Sequence, residues 1–159
     1  MKALGTVAAV IGGILALLAV PLVVVIVGVR SGDRRFIRAL TRLQRDVVNK
    51  GAMQVAGQPG APYAVVEHVG RRSGTAYETP VTPIRDGDGW VIALPYGDET
   101  AWARNVVAAG SAVLRFDGER RAVEGVEIVP IADTALAGQQ PGVIKLFGIR
   151  WAVRMSDAA

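Results

Sequence analysis

From Ala3 to Val29 the chain carries no charged residue. Coiled as a helix at about 1.5 Å per residue, such a run outreaches the roughly 30 Å hydrocarbon core of a bilayer. A secretory signal has a shorter apolar region followed by a small-residue cleavage site. Here the run leads directly into Val29-Arg30-Ser31-Gly32-Asp33-Arg34-Arg35, so it reads as a membrane anchor rather than a cleaved leader. Pro21 is expected to kink the span, which membrane helices tolerate. The expected division is an anchor over 1–30, a basic amphipathic juxtamembrane helix and linker over 31–58, and a globular domain over 59–159.

Charge is distributed in the same way. Before the anchor lies only Lys2; residues 30–50 hold seven bases against two acids, and residues 51–159 hold ten against twelve. The net +4 of the chain therefore sits beside the anchor, where it suits anionic head groups. The positive flank places the domain on the cytoplasmic side of the cell membrane, as a single-pass protein. The domain itself is slightly acidic and has no basic stripe interleaved with stacking aromatics, which argues against a nucleic-acid partner. The lack of cysteine agrees with a cytoplasmic setting.

Residues 34–49 have helical period: Phe36, Leu40, Leu43 and Val47 share a face, with arginines opposite. This helix either lies in the head-group layer or packs on its own domain. Asn49-Lys50-Gly51 is a candidate stop, and Gln58-Pro59-Gly60-Ala61-Pro62 a loop that opens the domain. Strands are then expected over 63–69, 77–84, 90–94, 112–116 and 119–129. Pro80 and Pro83 put the second at an edge or a bulge. Asp117-Gly118 is a strong hairpin signal. One helix with Trp102, Val106 and Ala109 on a face interrupts the strands, with Asp98 as candidate cap. The ending, after Pro141, has a shorter helical pattern through Leu146, Phe147, Ile149, Trp151 and Val153. About five hairpin-connected strands favour a small, closed or nearly closed antiparallel barrel.

With one histidine, His68, and no cysteine, the usual zinc ligand sets are unavailable. A Ser-His-Asp triad would have to use His68 within a strand, and Ser73 has no nucleophile-elbow setting. His68 reads instead as a structural or pocket-lining residue. No metal cluster and no phosphate-loop motif is present. An enzyme built this way would take its reactive group from a cofactor.

Between two strands lies Gly70-Arg71-Arg72-Ser73-Gly74. Two adjacent guanidinium groups offer forked, permanently charged donors, and the amides around Ser73 and Gly74 can add a small anion nest. The matching ligand is a phosphate or carboxylate. The plainer alternative is a pair of solvated arginines on a hairpin.

The ordered motifs His68-Val69-Gly70-Arg71-Arg72-Ser73-Gly74, Tyr77-Glu78-Thr79-Pro80-Val81, Asp86-Gly87-Asp88-Gly89-Trp90-Val91-Ile92, Leu94-Pro95-Tyr96-Gly97 and Trp102-Ala103-Arg104-Asn105-Val106 together resemble the deazaflavin-dependent nitroreductase and quinone reductase family. The resemblance covers about residues 60–130. It implies a split antiparallel β-barrel, related to flavin reductases and pyridoxamine-phosphate oxidases, with flanking helices. It also implies the 8-hydroxy-5-deazaflavin coenzyme F-420, which carries a phosphate and an oligoglutamate tail. By this resemblance Arg71, Arg72, Ser73 and Gly74 hold the phosphate or the start of the tail. Tyr77, Thr79, Pro80 and Val81 line the groove, and Pro95, Tyr96 and Gly97 lie against the ring. Trp102 and Asn105 complete the site, Trp102 having a core anchor as its alternative role, and Arg104 is a weaker candidate. Tyr96 is the candidate catalytic residue, as hydrogen-bond or proton donor to the acceptor.

The expected reaction is hydride transfer to a hydrophobic acceptor such as a quinone, enone or nitro compound. The ending departs from better-known members. No tyrosine follows Tyr96; Leu146, Phe147 and Trp151 stand where a nitroimidazole pocket has tyrosines, which favours a quinone-like acceptor. Expected partners are membrane lipid and that acceptor, with the protein a monomer or homodimer. The competing readings are a non-catalytic lipid or fatty-acid binder on the same barrel, and an enzyme using ordinary flavin or haem.

Overall fold

The computed structural model describes residues 21–43 and 49–158. The expected anchor falls mostly on residues 1–20, outside the described residues. Residues 21–31 are helical (α1, as far as it is described), and no helix among the described residues is long and apolar enough to cross a membrane. The other helices are α2 (Arg34–Leu43), α3 (Asn49–Met53), α4 (Ala101–Ala109), α5 (Ala135–Gln139) and α6 (Pro141–Phe147). The strands are β1 (Ala64–Val69), β2 (Ala76–Val81), β3 (Pro83–Asp86), β4 (Gly89–Ala93), β5 (Ser111–Phe116), β6 (Glu119–Pro130) and β7 (Trp151–Asp157).

All seven strands form one sheet in the order β2-β1-β5-β6-β7-β4-β3, antiparallel at every ladder. The two edge strands are consecutive in the chain, joined by Thr82 alone. Two virtual bonds of 3.8 Å hold Val81 and Pro83 within about 8 Å. In a flat sheet, six gaps of about 4.8 Å would put those edges about 29 Å apart. The sheet must therefore curl until its first and last strands meet at Thr82. Pro80 and Pro83 lack the N–H that a closing ladder needs, so the curled sheet is split between β2 and β3.

The single strand expected over 77–84 is thus two strands on opposite edges. Turn chemistry behaved as its residues suggest. Asp117 and Gly118 take φ of +51° and +79°, the two left-handed positions of a tight hairpin between β5 and β6. In β6 the register shifts between Glu124 and Glu127. Gly125, at φ +62°, supplies the positive φ of a bulge there, and the strand turns from β5 to β7.

The ending corrects the sequence reading. The helical pattern stops at Phe147, where Gly148 adopts a left-handed cap. Trp151 to Asp157 is a central strand rather than a continuation of the helix. Its Ala152, Val153 and Met155 are fully buried, because α5 and α6 cover one face of β7 and β4 while the barrel interior covers the other. A strand buried on both faces loses its period-two signature. The candidate stop at Asn49-Lys50-Gly51 also fails, since these residues belong to α3.

The interior core gathers Ala64, Val66, Val81, Trp90, Ile92, Leu114, Val153 and Met155 from the sheet and Ala103 and Val106 from α4. A second core under α5 and α6 holds Val91, Val129, Ile131, Leu136, Ile149 and Ala152. In α2 no residue is buried. Its Phe36 ring instead lies where a side chain on Gly28 would stand, so α2 folds back on α1. The Arg30 guanidinium, at the end of α1, donates to the carbonyls of Lys145 (2.7 Å) and Leu146 (3.4 Å). This fastens α1 to the carbonyl end of α6, where a cation is favoured.

Candidate active site

Along β1, Val66 and His68 face the interior and Glu67 and Val69 face out, as strand alternation requires. The register pairs His68 with Tyr77 and Val66 with Thr79. His68 therefore stands at the mouth of the barrel, where the interior opens beside the arginine turn. It is 8 % exposed, its ring stacked on Tyr77 with centroids 5.7 Å apart.

Four side chains join there. His68 Nε2 lies 3.1 Å from Thr79 Oγ1. Its Nδ1 lies 3.3 Å from Asn105 Nδ2. Asn105 Oδ1 accepts from the Arg71 guanidinium at 2.9 Å and from the Arg71 backbone N–H at 3.3 Å. The same guanidinium reaches the Ala101 carbonyl at 3.5 Å. Asn105 is 7 % exposed, and left unpaired its amide would cost about 1–3 kcal/mol. Among the described residues no carboxylate touches the imidazole, and burial holds it below the ordinary histidine range.

The turn is closed by Gly70 N–H to Thr75 O and Gly74 N–H to Gly70 O, both at 2.8 Å. Gly74, at φ +67°, needs its glycine. Its amide is used inside the turn, which corrects its expected part in an anion nest. The amides of Arg72 and Ser73 have no hydrogen-bond partner among the described residues, nor does the exposed Arg72 guanidinium. The Ser73 hydroxyl accepts from the Thr75 N–H at 3.3 Å. Arg71 is thus held in place with donors to spare, and Arg72 beside it is without a partner among the described residues.

The remaining candidates divide. Pro80 is half-buried, and Val81 points into the core at 8 % exposure, so its side chain does not line the mouth. Pro95, Tyr96 and Gly97 form the loop after β4. It closes through Gly97 N–H to Leu94 O at 3.0 Å and through the Thr100 hydroxyl to Gly97 O at 2.7 Å. Asp98 does not cap α4: Thr100 occupies the N-cap, with no side-chain bond to the helix. Asp98 and Glu99 pair with Arg104, which removes Arg104 from the anion site. Tyr96 is half-buried, burial raises its phenol above the ordinary range, and its hydroxyl has no partner among the described residues. Trp102 packs against the interior core, as its alternative role anticipated. Arg71 meets Ala101 and Asn105 on the helix that follows the Pro95–Gly97 loop, so α4 joins the two parts of the site.

A cleft of about 360 Å³ is lined by Glu67, His68, Val69, Ala76, Tyr77, Glu78 and Val113. Its carboxylates, Glu67 and Glu78, are unsuited to an anion.

Residues 35–137 match the family model described as F-420H(2)-dependent quinone reductase. The chain belongs to that family. It is accordingly a deazaflavin-dependent oxidoreductase, and its cofactor is coenzyme F-420. No curated protein matches the chain. Among solved structures it is similar to an F-420-H2-dependent reductase, at 10 % identity and TM-score 0.44 over 60 % of this chain and 94 % of that one. It is also similar to an F-420 reductase, at 14 % identity and TM-score 0.41 over 67 % and 92 %. HutZ, a heme storage protein from Vibrio cholerae, aligns at 11 % identity and TM-score 0.44 over 69 % and 87 %. The donor set fits the coenzyme's charge: two guanidinium groups and two free amides at one turn suit a phosphate. Among the described residues no group of three or more potential metal ligands occurs.

Proposed function

We propose that this reductase passes a hydride to a hydrophobic, quinone-like acceptor, with the anionic part of the coenzyme held by Arg71, Arg72 and the Arg72 and Ser73 amides. The observation that carries this reading is the pairing of a tethered arginine with a free one at the barrel mouth, in a chain of this family. Tyr77 and Thr79 form the wall beside them, and Pro95, Tyr96 and Gly97 the floor towards the ring.

When bound, the coenzyme supplies the hydride. A quinone going to its quinol also takes up a proton. The Tyr96 phenol stays protonated throughout the neutral range, since burial raises its pKa. In this reading it donates a hydrogen bond to the acceptor oxygen, stabilising the negative charge that develops there. Val81 and Trp102 keep the interior beneath closed to water.

The site is assigned to the membrane surface. Supporting this are the uncharged run through residue 29, the exposed Leu22, Val23, Val24 and Val27 of α1, and the arginines that follow. Val143 and Leu146 of α6, also exposed, lie next to the Arg30 contact. An apolar acceptor dissolved in the bilayer would then reach the domain without crossing water.

The test is oxidation of the reduced coenzyme by purified full-length protein with a short-chain menaquinone analogue, followed by absorbance. Turnover supports the reading. Tightly bound lipid in a protein that ignores the coenzyme would replace it with the non-catalytic binder.

A further inference from the structure

Arg71 presents two donors to Asn105, its backbone N–H and its guanidinium. Only the carbonyl oxygen of an amide accepts, so Oδ1 must face Arg71 and the NH2 must face His68. The amide group then donates to His68 Nδ1, which must be unprotonated. The one ring proton is on Nε2, where Thr79 Oγ1 receives it. Each orientation in the row from Thr79 to Arg71 is therefore fixed by its neighbour, and the row works in one protonation state only.

We propose that His68 is a positioning residue for the anion grip: as the neutral Nε2–H tautomer it orients Asn105 to hold Arg71, and its protonation releases that arginine.

A proton on Nδ1 would set two donors face to face. The Asn105 amide would relieve this by turning over, which sends its oxygen to His68 and its NH2 towards the two donors of Arg71. The backbone and side-chain tethers of Arg71 would both be lost.

Among the described residues no carboxylate bonds to His68 to compensate this switch. On β1 its neighbour Glu67 points to the outer face, and on β2 Glu78 does likewise, where they pair with Arg115 and Arg120. The interior face of β2 offers Tyr77 and Thr79, and α4 offers Asn105, its Arg104 being turned to Asp98 and Glu99. The turn adds a positive charge, Arg71, behind the amide. The Tyr77 ring stacked on it at 5.7 Å gives an imidazolium some support, but burial prevails and lowers its pKa from the ordinary 6.5. Coenzyme affinity should be flat above that point and should fall on the acid side by at most tenfold per pH unit, the slope of a single proton.

The proposal rests on the assignment of the arginine turn to the coenzyme's anionic group, and the experiment separates the two. His68 is the sole histidine of the chain, so its ring signals in nitrogen-15 NMR of the full-length protein in detergent need no assignment. The expected result is an Nε2–H tautomer at pH 7.5 and a pKa below 6.5. Coenzyme binding is then titrated by fluorescence from pH 5 to 8 in the wild type, His68→Asn and Arg71→Ala. Asparagine keeps an acceptor near the Nδ1 position and does not titrate, so the acid-side fall should disappear in H68N. An Nδ1–H tautomer, or the same acid-side fall in H68N as in the wild type, would overturn the role of His68. Arg71→Ala binding as tightly as the wild type would overturn the anion site itself.

Discussion

Asn105 holds Arg71 at two points, its Oδ1 lying 2.9 Å from the guanidinium and 3.3 Å from the backbone nitrogen. One buried amide on α4 thus sets both the direction of the side chain and the path of the turn. Replacing Asn105 with Ala should free the arginine and leave His68 Nδ1 unpaired. Loss of charge-assisted bonds of about 1.5–3 kcal/mol predicts coenzyme affinity roughly ten- to a hundredfold weaker, measured by fluorescence titration, with a lowered melting temperature.

Arg72 has no hydrogen bond or ion pair to lose among the described residues. Arg72→Ala should weaken coenzyme binding several-fold through the lost charge-assisted bond while leaving the melting temperature unchanged. A matching drop in stability would mean that Arg72 serves the fold.

The far end of the barrel is tied by Asp157. Its carboxylate accepts from the Trp90 indole N–H at 2.8 Å and from Arg85 at 2.9 Å, and Arg85 also stacks on Trp90 at 3.9 Å. Burial works against the charge, but the bonds from Trp90 and Arg85 prevail and hold the group below the ordinary carboxylate range. Its contribution to stability is complete above about pH 4, the unfolded value, and is lost as pH falls through the lower folded value. Asp157→Asn should cost about 1 kcal/mol at neutral pH and flatten the acid limb of the stability curve, as read by urea melts.

Gly89 pairs with Ser156, and a Cβ there would collide with the Met155 carbonyl oxygen. The nearest atoms all belong to the Met155–Ser156 backbone, which has little room to yield. Gly89→Ala should destabilise by about 1–3 kcal/mol or more, seen as a lowered urea midpoint.

These residues show which parts of the molecule could be read from sequence. Signals confined to a few neighbouring residues held: the Asp117-Gly118 hairpin, the edge position announced by Pro80 and Pro83, and the arginine turn. Signals that depend on what covers an element did not. The β7 residues are apolar on both faces because α5 and α6 lie over them, and in sequence such a run continues a helix as readily as it starts a strand. The split at Thr82 was hidden because one extended stretch supplies both edges of the sheet. His68 was legible as a structural or pocket-lining residue, and Asn105 only through the family resemblance. Their pairing was not, since it depends on how α4 crosses the barrel mouth 37 residues away.

Everything proposed for the site depends on the turn at Arg71 and Arg72 holding the coenzyme's anionic group. The most direct measurement is fluorescence titration of the full-length protein in mild detergent with oxidised coenzyme F-420, FMN in parallel, for the wild type and the Arg71→Ala/Arg72→Ala double variant. Saturable binding of the deazaflavin in preference to FMN is expected, with at least a tenfold weaker affinity in the double variant. Equal affinity in the two proteins would contradict it.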